Sequence, residues 1–585
     1  MAEQHDLIIR GGTVVDGTGA APYIADVAID DGTIVAVGEV SGRGTKEICA
    51  DGLLVTPGFV DIHTHYDAQA IWSSRLSPTS GHGVTTVVIG NCGVGFAPCK
   101  PADRDRLIEL MEGVEDIPGV VLKEGLTWEW ESYPEYLDAL ARRQYDVNVA
   151  SYLPHAALRV FVMGKRALYK EVATEADLIE MATLTREAVK AGALGVATSR
   201  TLFHRSSSGA VIPTADATEA ELTALAQAMQ SEDAGILHIA TDYNSGNSVA
   251  DEFAMMERVL RSSGRPLTLP TTEIPSHPGQ WREVLRLVGE ANRNGLKITC
   301  QGMTRALGML LGLELTLNPF SLSPSYRAIE HLPLAQRVEM MRDPALRAKI
   351  LADELSDPTH PFLDFVRDFD GMYEANEPLN YEPEASESLG ARAAQQGRPP
   401  AELAYDLLLK NGGHSIIFRP FSNYSGGNLD AVGEMLTNEH FVPGLGDGGA
   451  HCGVICDASY STFLLSHWTR DRTRGFKIDL PTAVKALTHD TARVVSLADR
   501  GLLAPGYRAD INVIDYDKLL LHSPRVSHDL PKGGRRLTQR AEGYVYTIVD
   551  GLVTYEDGSP TGALPGRLVR GAQPAPSQRR DEAPV

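Results

Sequence analysis

The chain has 585 residues, 43% hydrophobic and 22% charged, with 76 acidic against 54 basic residues and a formal charge of −22. That is the composition of a globular protein too long for one small core. The acidic excess leaves no surplus of phosphate-neutralising side chains, which excludes nucleic acid as the expected partner.

In chain order, Met1-Ala-Glu-Gln-His-Asp6 carries neither the basic nor the apolar segment of a secretion signal, so a cytoplasmic location is expected. Residues 6–56 read as short strands punctuated by Gly11-Gly12 and Asp31-Gly32, an antiparallel β unit. So short a unit needs further strands to bury a face. Residues 500–556 repeat its style in Ala509-Asp-Ile-Asn-Val-Ile-Asp515 and Tyr544-Val-Tyr-Thr-Ile-Val549. A small β-sandwich made jointly from 1–56 and 496–570 is therefore predicted.

Between these ends, apolar β-like runs alternate with amphipathic helical stretches such as 175–191 and 218–231. This is the α/β pattern of a (β/α)8 TIM-like barrel, placed over 57–495. After the run ending at His63, strands are expected at 84–89, 147–153, 194–198, 235–240, 267–271, 297–301 and 441–446. Residues 318 to about 440, between the seventh and eighth strands, exceed an ordinary connection. They read as a packed helical insertion, with a lid over the active site as the functional alternative. The most apolar stretch, 307–317, is interrupted by Glu314 and too short to span a bilayer, so no membrane partner is expected. The tail 571–585, rich in proline and arginine, reads as disordered. Six cysteines are too sparse for a disulfide framework and are expected to be free thiols.

In such barrels the chemistry sits at the C-terminal ends of the strands. The first strand exits through Phe59-Val-Asp-Ile-His-Thr-His65, and alternation projects His63 and His65 together, half of a metal site. The second exits through Gly90-Asn-Cys-Gly93, with Cys92 level with the histidines and glycines that let the backbone approach a bound group closely. At the third exit His155 either meets substrate or satisfies a backbone group. At the fourth, Arg200 either grips a carboxylate with its fork or forms a structural ion pair, and His204 follows it. His238 on the fifth strand is a further ligand candidate. The sixth has no histidine at its natural exit, and Glu273 and His277 are the nearby alternatives. Arg305, after the seventh, is a candidate for the polar end of a substrate. At the eighth, Asp447 stands between glycines, either as a plain turn or as a carboxylate that takes a proton and returns it. His451 follows as a substrate or supporting contact.

Together these motifs resemble the N-acyl-D-amino-acid deacylase (D-aminoacylase) branch of the amidohydrolase superfamily. The resemblance runs over nearly the whole chain, from Ile8-Ile-Arg-Gly-Gly-Thr-Val-Val-Asp-Gly17 through His63-Thr-His65, Gly90-Asn-Cys-Gly93 and Gly446-Asp-Gly-Gly-Ala-His451 to Arg508-Ala-Asp-Ile511 and Thr561-Gly-Ala-Leu-Pro-Gly566. It implies zinc, one or two ions per chain, held by His63, His65, Cys92, His238 and Asp447, with Asp447 as general acid/base. The chain departs from the family where a histidine is expected after the sixth strand and Thr271-Thr-Glu273 stands instead. The implied reaction is hydrolysis of a non-peptide C–N amide bond, of an N-acyl-D-amino acid or similar small N-acyl compound, by metal-activated hydroxide. Three rivals stand beside it. A hydantoinase- or dihydropyrimidinase-like cyclic-amide hydrolase lacks its lysine at the fourth exit, where Thr198-Ser-Arg200 stands. The other two are a non-hydrolytic amide-forming or carbonyl enzyme and a catalytically dead binding protein. Association into a homo-oligomer is compatible with the sequence.

Overall fold

The computed structural model describes residues 4–241, 243, 248–354 and 363–576. Phe59–Asp61 pairs in parallel with Val84–Ile89, and that strand with Asn148–Ser151. The third strand breaks at Tyr152 and resumes as Leu153–Pro154, which pairs with Gly195–Ser199. Ile236–Ala240, Leu267–Pro270, Ile298–Gly302 and Phe441–Pro443 continue the parallel order. The ring closes at its C-terminal mouth. Thr64 bridges Gly448, the His65 amide donates to the Gly448 carbonyl (2.8 Å), and the Asp447 amide donates to the His63 carbonyl (3.0 Å). The fold is an α/β barrel with a β-sandwich built from both termini.

Local chemistry accounts for the elements. Val84-Thr-Thr-Val-Val-Ile89 is buried at every position, as a parallel strand covered on both faces requires. Helix Glu175–Ala191 begins with a capping box between Thr174 and Asp177 and ends at Gly192 with φ 114°. In the terminal sheet, Leu54–Pro57 lies between Gln4–Val14 (parallel) and Ile511–Ile514 (antiparallel). Ile9, Val27 and Val55 from one end of the chain share a core with Ile511, Val513 and Ile548 from the other. Neither half covers its apolar face without the other.

Three expectations are corrected. The excursion between Ile511–Ile514 and Tyr544–Val549 leaves the terminal sheet. It forms a hairpin, Arg525–Leu530 with Gly534–Thr538, that reaches the barrel mouth. There Arg536 donates to Ser77 and Gln69, and the Leu537 amide to the Cys452 carbonyl (2.7 Å). The insertion starts near Leu307 and is not wholly helical. Leu307–Gly312 pairs with Ile416–Ser422, Tyr373–Glu374 takes the other edge, and Leu311, Phe320, Tyr326, Leu389 and Ile417 contribute to a separate core. An uninterrupted apolar run such as 307–313 has no period to separate strand from helix. Residues 571–576 are not loose: Gln573 exchanges main-chain bonds with Ser496 and Ala498, both 2.8 Å. The remainder of the expected disordered tail, 577–585, lies outside the described residues. Among the described residues no helix is long and apolar enough to cross a membrane.

Glu382, in the insertion, fastens it to the barrel. Its carboxylate accepts from Arg472 (3.1 and 3.0 Å), His467 (3.0 Å) and the Leu429 amide (2.9 Å). Burial opposes its ionisation, but the bonds from His467 and Arg472 prevail and hold the carboxyl down to about 2. The depressed value means a stabilising contribution complete above the ordinary value of 4.5 and lost as pH falls towards about 2. Glu382→Gln removes the buried one of the two carboxylates that pair with Arg472, leaving only the exposed Asp430, at a cost on the order of 3 kcal/mol. Unfolding midpoints of the two proteins should differ clearly at pH 7 and draw together as pH falls from 4.5 through about 2; equal midpoints at pH 7 would refute the anchor.

Candidate active site

The closing seam of the barrel brings the expected side chains together. His63 and His65 leave the first strand with ring centroids 5.4 Å apart, and the His238 ring lies 5.0 Å from that of His63. Cys92 Sγ is 3.4 Å from His63 Nε2. One carboxylate oxygen of Asp447, Oδ1, sits 3.4 Å from His63 Nε2 and 3.5 Å from His65 Nε2. Donor atoms of His63, Cys92 and His238 lie within 4.8 Å of one another, as do those of His63, His65 and Asp447.

The backbone here is held in an unusual state. Cys92 (φ 54°), Asp447 (φ 45°) and His451 (φ 52°) all occupy the left-handed region, which costs non-glycine residues on the order of 1–3 kcal/mol each. The glycines beside Cys92 serve packing more than ligand approach, a correction to the expectation. A Cβ on Gly90 (φ 82°) would stand 2.4 Å from the Tyr152 carbonyl oxygen, and one on Gly93 2.8 Å from that of Ala197. The second-strand exit thus lies directly on the third and fourth strands, and that contact sets the position of Cys92.

The charges of the site are coupled. Burial pushes the His63 imidazolium down to about 4 and that of His238 well below its ordinary value, so both rings are neutral at pH 7, the form in which imidazole can bind a metal. Burial also pushes the Cys92 thiol up to about 11. For Asp447 burial opposes ionisation, but the hydrogen bond from His65 and the electrostatic pull of His65 and His451 hold it well below the carboxylate range. His65 is raised instead: burial is overcome by the Glu115 carboxylate and the bond to Asp447. A proton on His65 supplies positive charge between two carboxylates, which is where a cation would serve.

The site fits a metal ion. Buried and without a partner are His63 Nδ1, His65 Nδ1, His238 Nε2 and Glu115 Oε1. Buried polar atoms are ordinarily paired, and several orphans in one cluster of imidazole, thiol and carboxylate are what an ion would satisfy. His238 is oriented for this. Its Nδ1 lies 3.0 Å from Thr268 Oγ1 and 3.0 Å from the Gln301 amide, leaving Nε2 to face the cluster.

Several strand-end candidates are committed elsewhere, which corrects their expected contact with substrate. His155 spends both nitrogens on Thr198 (2.8 Å) and Glu221 (2.9 Å), which also takes Arg159. The Arg200 fork closes on Glu252 and the Ala217 carbonyl. Arg305 is buried against Asp457, Ser459 and the Cys456 carbonyl, and lies over the Tyr381 ring. His204 bonds Ser199 of its own strand exit through Nδ1 (2.9 Å) and lies beside the cluster, near enough for a charge on it to act on His238. Glu273 accepts from the Ser425 amide in the insertion, and the exposed His277 bonds Ser276. His451 does join the cluster, 3.8 Å from both Asp447 and Glu115.

Sequence reasoning missed Glu115, Gln301 and Asp457. Glu115 ends helix Arg104–Glu115 and carries no local signal. Gln301 and Thr268 stand opposite one another's strands beside His238, and only strand register relates them. Asp457 lines a cleft beside Asp447 together with Gly448, Ala450, Cys456 and Arg536.

A family model described as "Amidohydrolase family" matches residues 46–555. An uncharacterized protein of Mycobacterium tuberculosis is 29% identical over 547 residues, covering 87% of this chain and 84% of its own length. The N-acyl-D-glutamate deacylase of Alcaligenes xylosoxydans xylosoxydans is 26% identical over 579 residues, 97% of both chains. Among solved structures, the N-acyl-D-glutamate deacylase of Bordetella bronchiseptica, complexed with zinc and a phosphonate inhibitor, has the same fold. Its TM-score is 0.62 at 24% identity, covering 97% of this chain and 100% of that one.

Gly90→Ala tests the packing that sets Cys92. The added methyl meets the Tyr152 carbonyl in a left-handed backbone, a strain of about 1–3 kcal/mol. The unfolding midpoint should fall by about 1–3 °C, and an unchanged midpoint would remove the steric argument.

Proposed function

The chain belongs to the amidohydrolase family, and on that premise we propose that it hydrolyses the amide bond of an N-acyl-D-amino acid or a similar N-acyl compound with the help of zinc. The reading rests on one observation, the Asp447 carboxylate held between His63 and His65 at the barrel seam. Zinc held by His63, Cys92 and His238, with His65 and Asp447 beside them, would supply Lewis acidity towards the scissile carbonyl and acidify water towards neutrality. The protein groups do the rest. Asp447 is ionised and takes a proton at Oδ1 from the attacking water, then gives it to the leaving nitrogen. His65 and His451 hold that carboxylate in place from two sides. The cleft beside it offers Asp457, whose Oδ2 has no partner, as an acceptor for a substrate N–H. A thiolate at Cys92 would soften the electrophilicity of the bound ion relative to an all-imidazole set.

The relatives named for deacylation of N-acyl-D-amino acids support the substrate class, and full-length coverage by one of them supports it across both units of the fold. Against a cyclic-amide hydrolase, Thr198 and Arg200 at the fourth exit are engaged by His155 and Glu252, so nothing there replaces the missing lysine.

Two measurements test the reading on a panel of N-acetyl-D- and N-acetyl-L-amino acids. Chelation should abolish turnover and zinc restore it. Asp447→Asn should lower turnover by roughly 10²–10⁴-fold while the protein stays folded. Full turnover in the chelated protein, or in Asp447→Asn, would contradict it.

A further inference from the structure

We propose that Glu115 is a metal ligand, forming with His65 and Cys92 a second cation site that shares the Cys92 sulfur with the first. The inference rests on the zinc-hydrolase reading above and adds to it a ligand from outside the barrel strands.

Donor atoms of His65, Cys92 and Glu115 lie within 4.8 Å of one another. All three residues are buried, at 1%, 8% and 2% exposure. Glu115 Oε1 and His65 Nδ1 face each other at 3.4 Å, and each lacks a hydrogen-bond partner. A buried carboxylate oxygen with no donor is costly, and this one is aimed at an imidazole and a thiol. Thiolate, imidazole and carboxylate are the three donor types that zinc accepts.

The placement of Glu115 is built rather than incidental. Helix Arg104–Glu115 stops there because Asp116 turns into the left-handed region (φ 50°). Asp116 then accepts from the Gly453 amide (2.8 Å), and the Glu115 carbonyl accepts from the His451 amide. The turn at 115–116 is thus clamped to the loop that follows the eighth strand. That clamp fixes the carboxylate before any ion arrives, the preorganisation a ligand needs.

Charge points the same way. Glu115, Asp447 and a thiolate at Cys92 would place three anionic donors around His65, a setting that favours a cation. The sixth-strand exit supplies no donor to the cluster, since Glu273 and His277 are turned elsewhere. His63, His65 and Asp447 form the other three-donor group at this mouth, but His65 Nδ1 faces away from it towards Glu115 Oε1, and Glu115 is the buried, unpartnered carboxylate within reach of that nitrogen and of Cys92. The rival role is purely positional, with Glu115 accepting from His65 Nδ1–H and touching no ion.

Metal binding separates these roles without reference to turnover. Chelated full-length protein is titrated with Zn²⁺ and, in parallel, with Co²⁺, reading bound metal by elemental analysis and the cobalt–thiolate absorption band. The wild type is expected to hold about two equivalents and Glu115→Gln about one. Glu115→Asp, which keeps the charge on a shorter arm, should recover the second equivalent at an affinity at least about tenfold weaker, in the range that disturbed ligands cost. Circular dichroism confirms that each variant is folded; should Glu115→Gln fail that check, Glu115→Asp decides, because undiminished affinity there overturns the proposal. Two equivalents retained by folded Glu115→Gln would assign Glu115 the positional role and overturn it. One equivalent in the wild type, unchanged in Glu115→Gln, would overturn the second site and leave the hydrolase reading standing. No bound metal in the wild type would remove both.

Discussion

The first and eighth barrel strands meet at a seam of main-chain contacts, and the chemical groups are side chains of the residues that make it. His65 donates its amide to Gly448, Asp447 donates its amide to His63, and Thr64 bridges Gly448. The two imidazoles and the carboxylate therefore stand in register because the barrel is closed. Gly448 shows how tight the closure is: a Cβ there would stand 2.1 Å from Thr79 Oγ1. Positioning of this kind needs no flexible loop to find its place, so the Asp447 carboxylate is presented on rigid backbone.

Around that seam the protein concentrates groups that water would otherwise separate. Burial makes His63 and His238 neutral, while Asp447 stays charged by drawing on His65 and His451. Orphaned nitrogens and a carboxylate oxygen remain. Left-handed backbone at Cys92, Asp447 and His451 adds strain at the same place. These costs converge on one cluster and are offset elsewhere, by the full burial of the barrel strands and by ion pairs such as Glu382 with Arg472. A bound cation would satisfy the orphaned atoms together.

Much of this was legible in the sequence where the signal is local. Period-two alternation puts His63 and His65 on one face, and strand-exit position brings Cys92, His238 and Asp447 to the same mouth. The eight strands and the jointly built terminal sheet follow from apolar runs and turn residues. What was not legible depends on partners distant in sequence. Arg200 read equally as a carboxylate grip or a structural ion pair until Glu252 closed on it, and His155 as a substrate contact or a satisfied ring until Glu221 and Thr198 took both nitrogens. Arg305 is likewise absorbed by Asp457 and Tyr381. Glu115 enters from the end of a helix and the 525–538 hairpin from the far end of the chain, and neither has a motif. The insertion hid its first strand inside an apolar run that had served only to exclude a membrane span.

The central claim is that this seam holds a catalytic metal, and diffraction at the zinc absorption edge addresses it most directly. Crystals of zinc-supplied, active protein should give an anomalous peak bounded by His63, Cys92 and His238. An active crystal with no anomalous density among these residues would contradict the account.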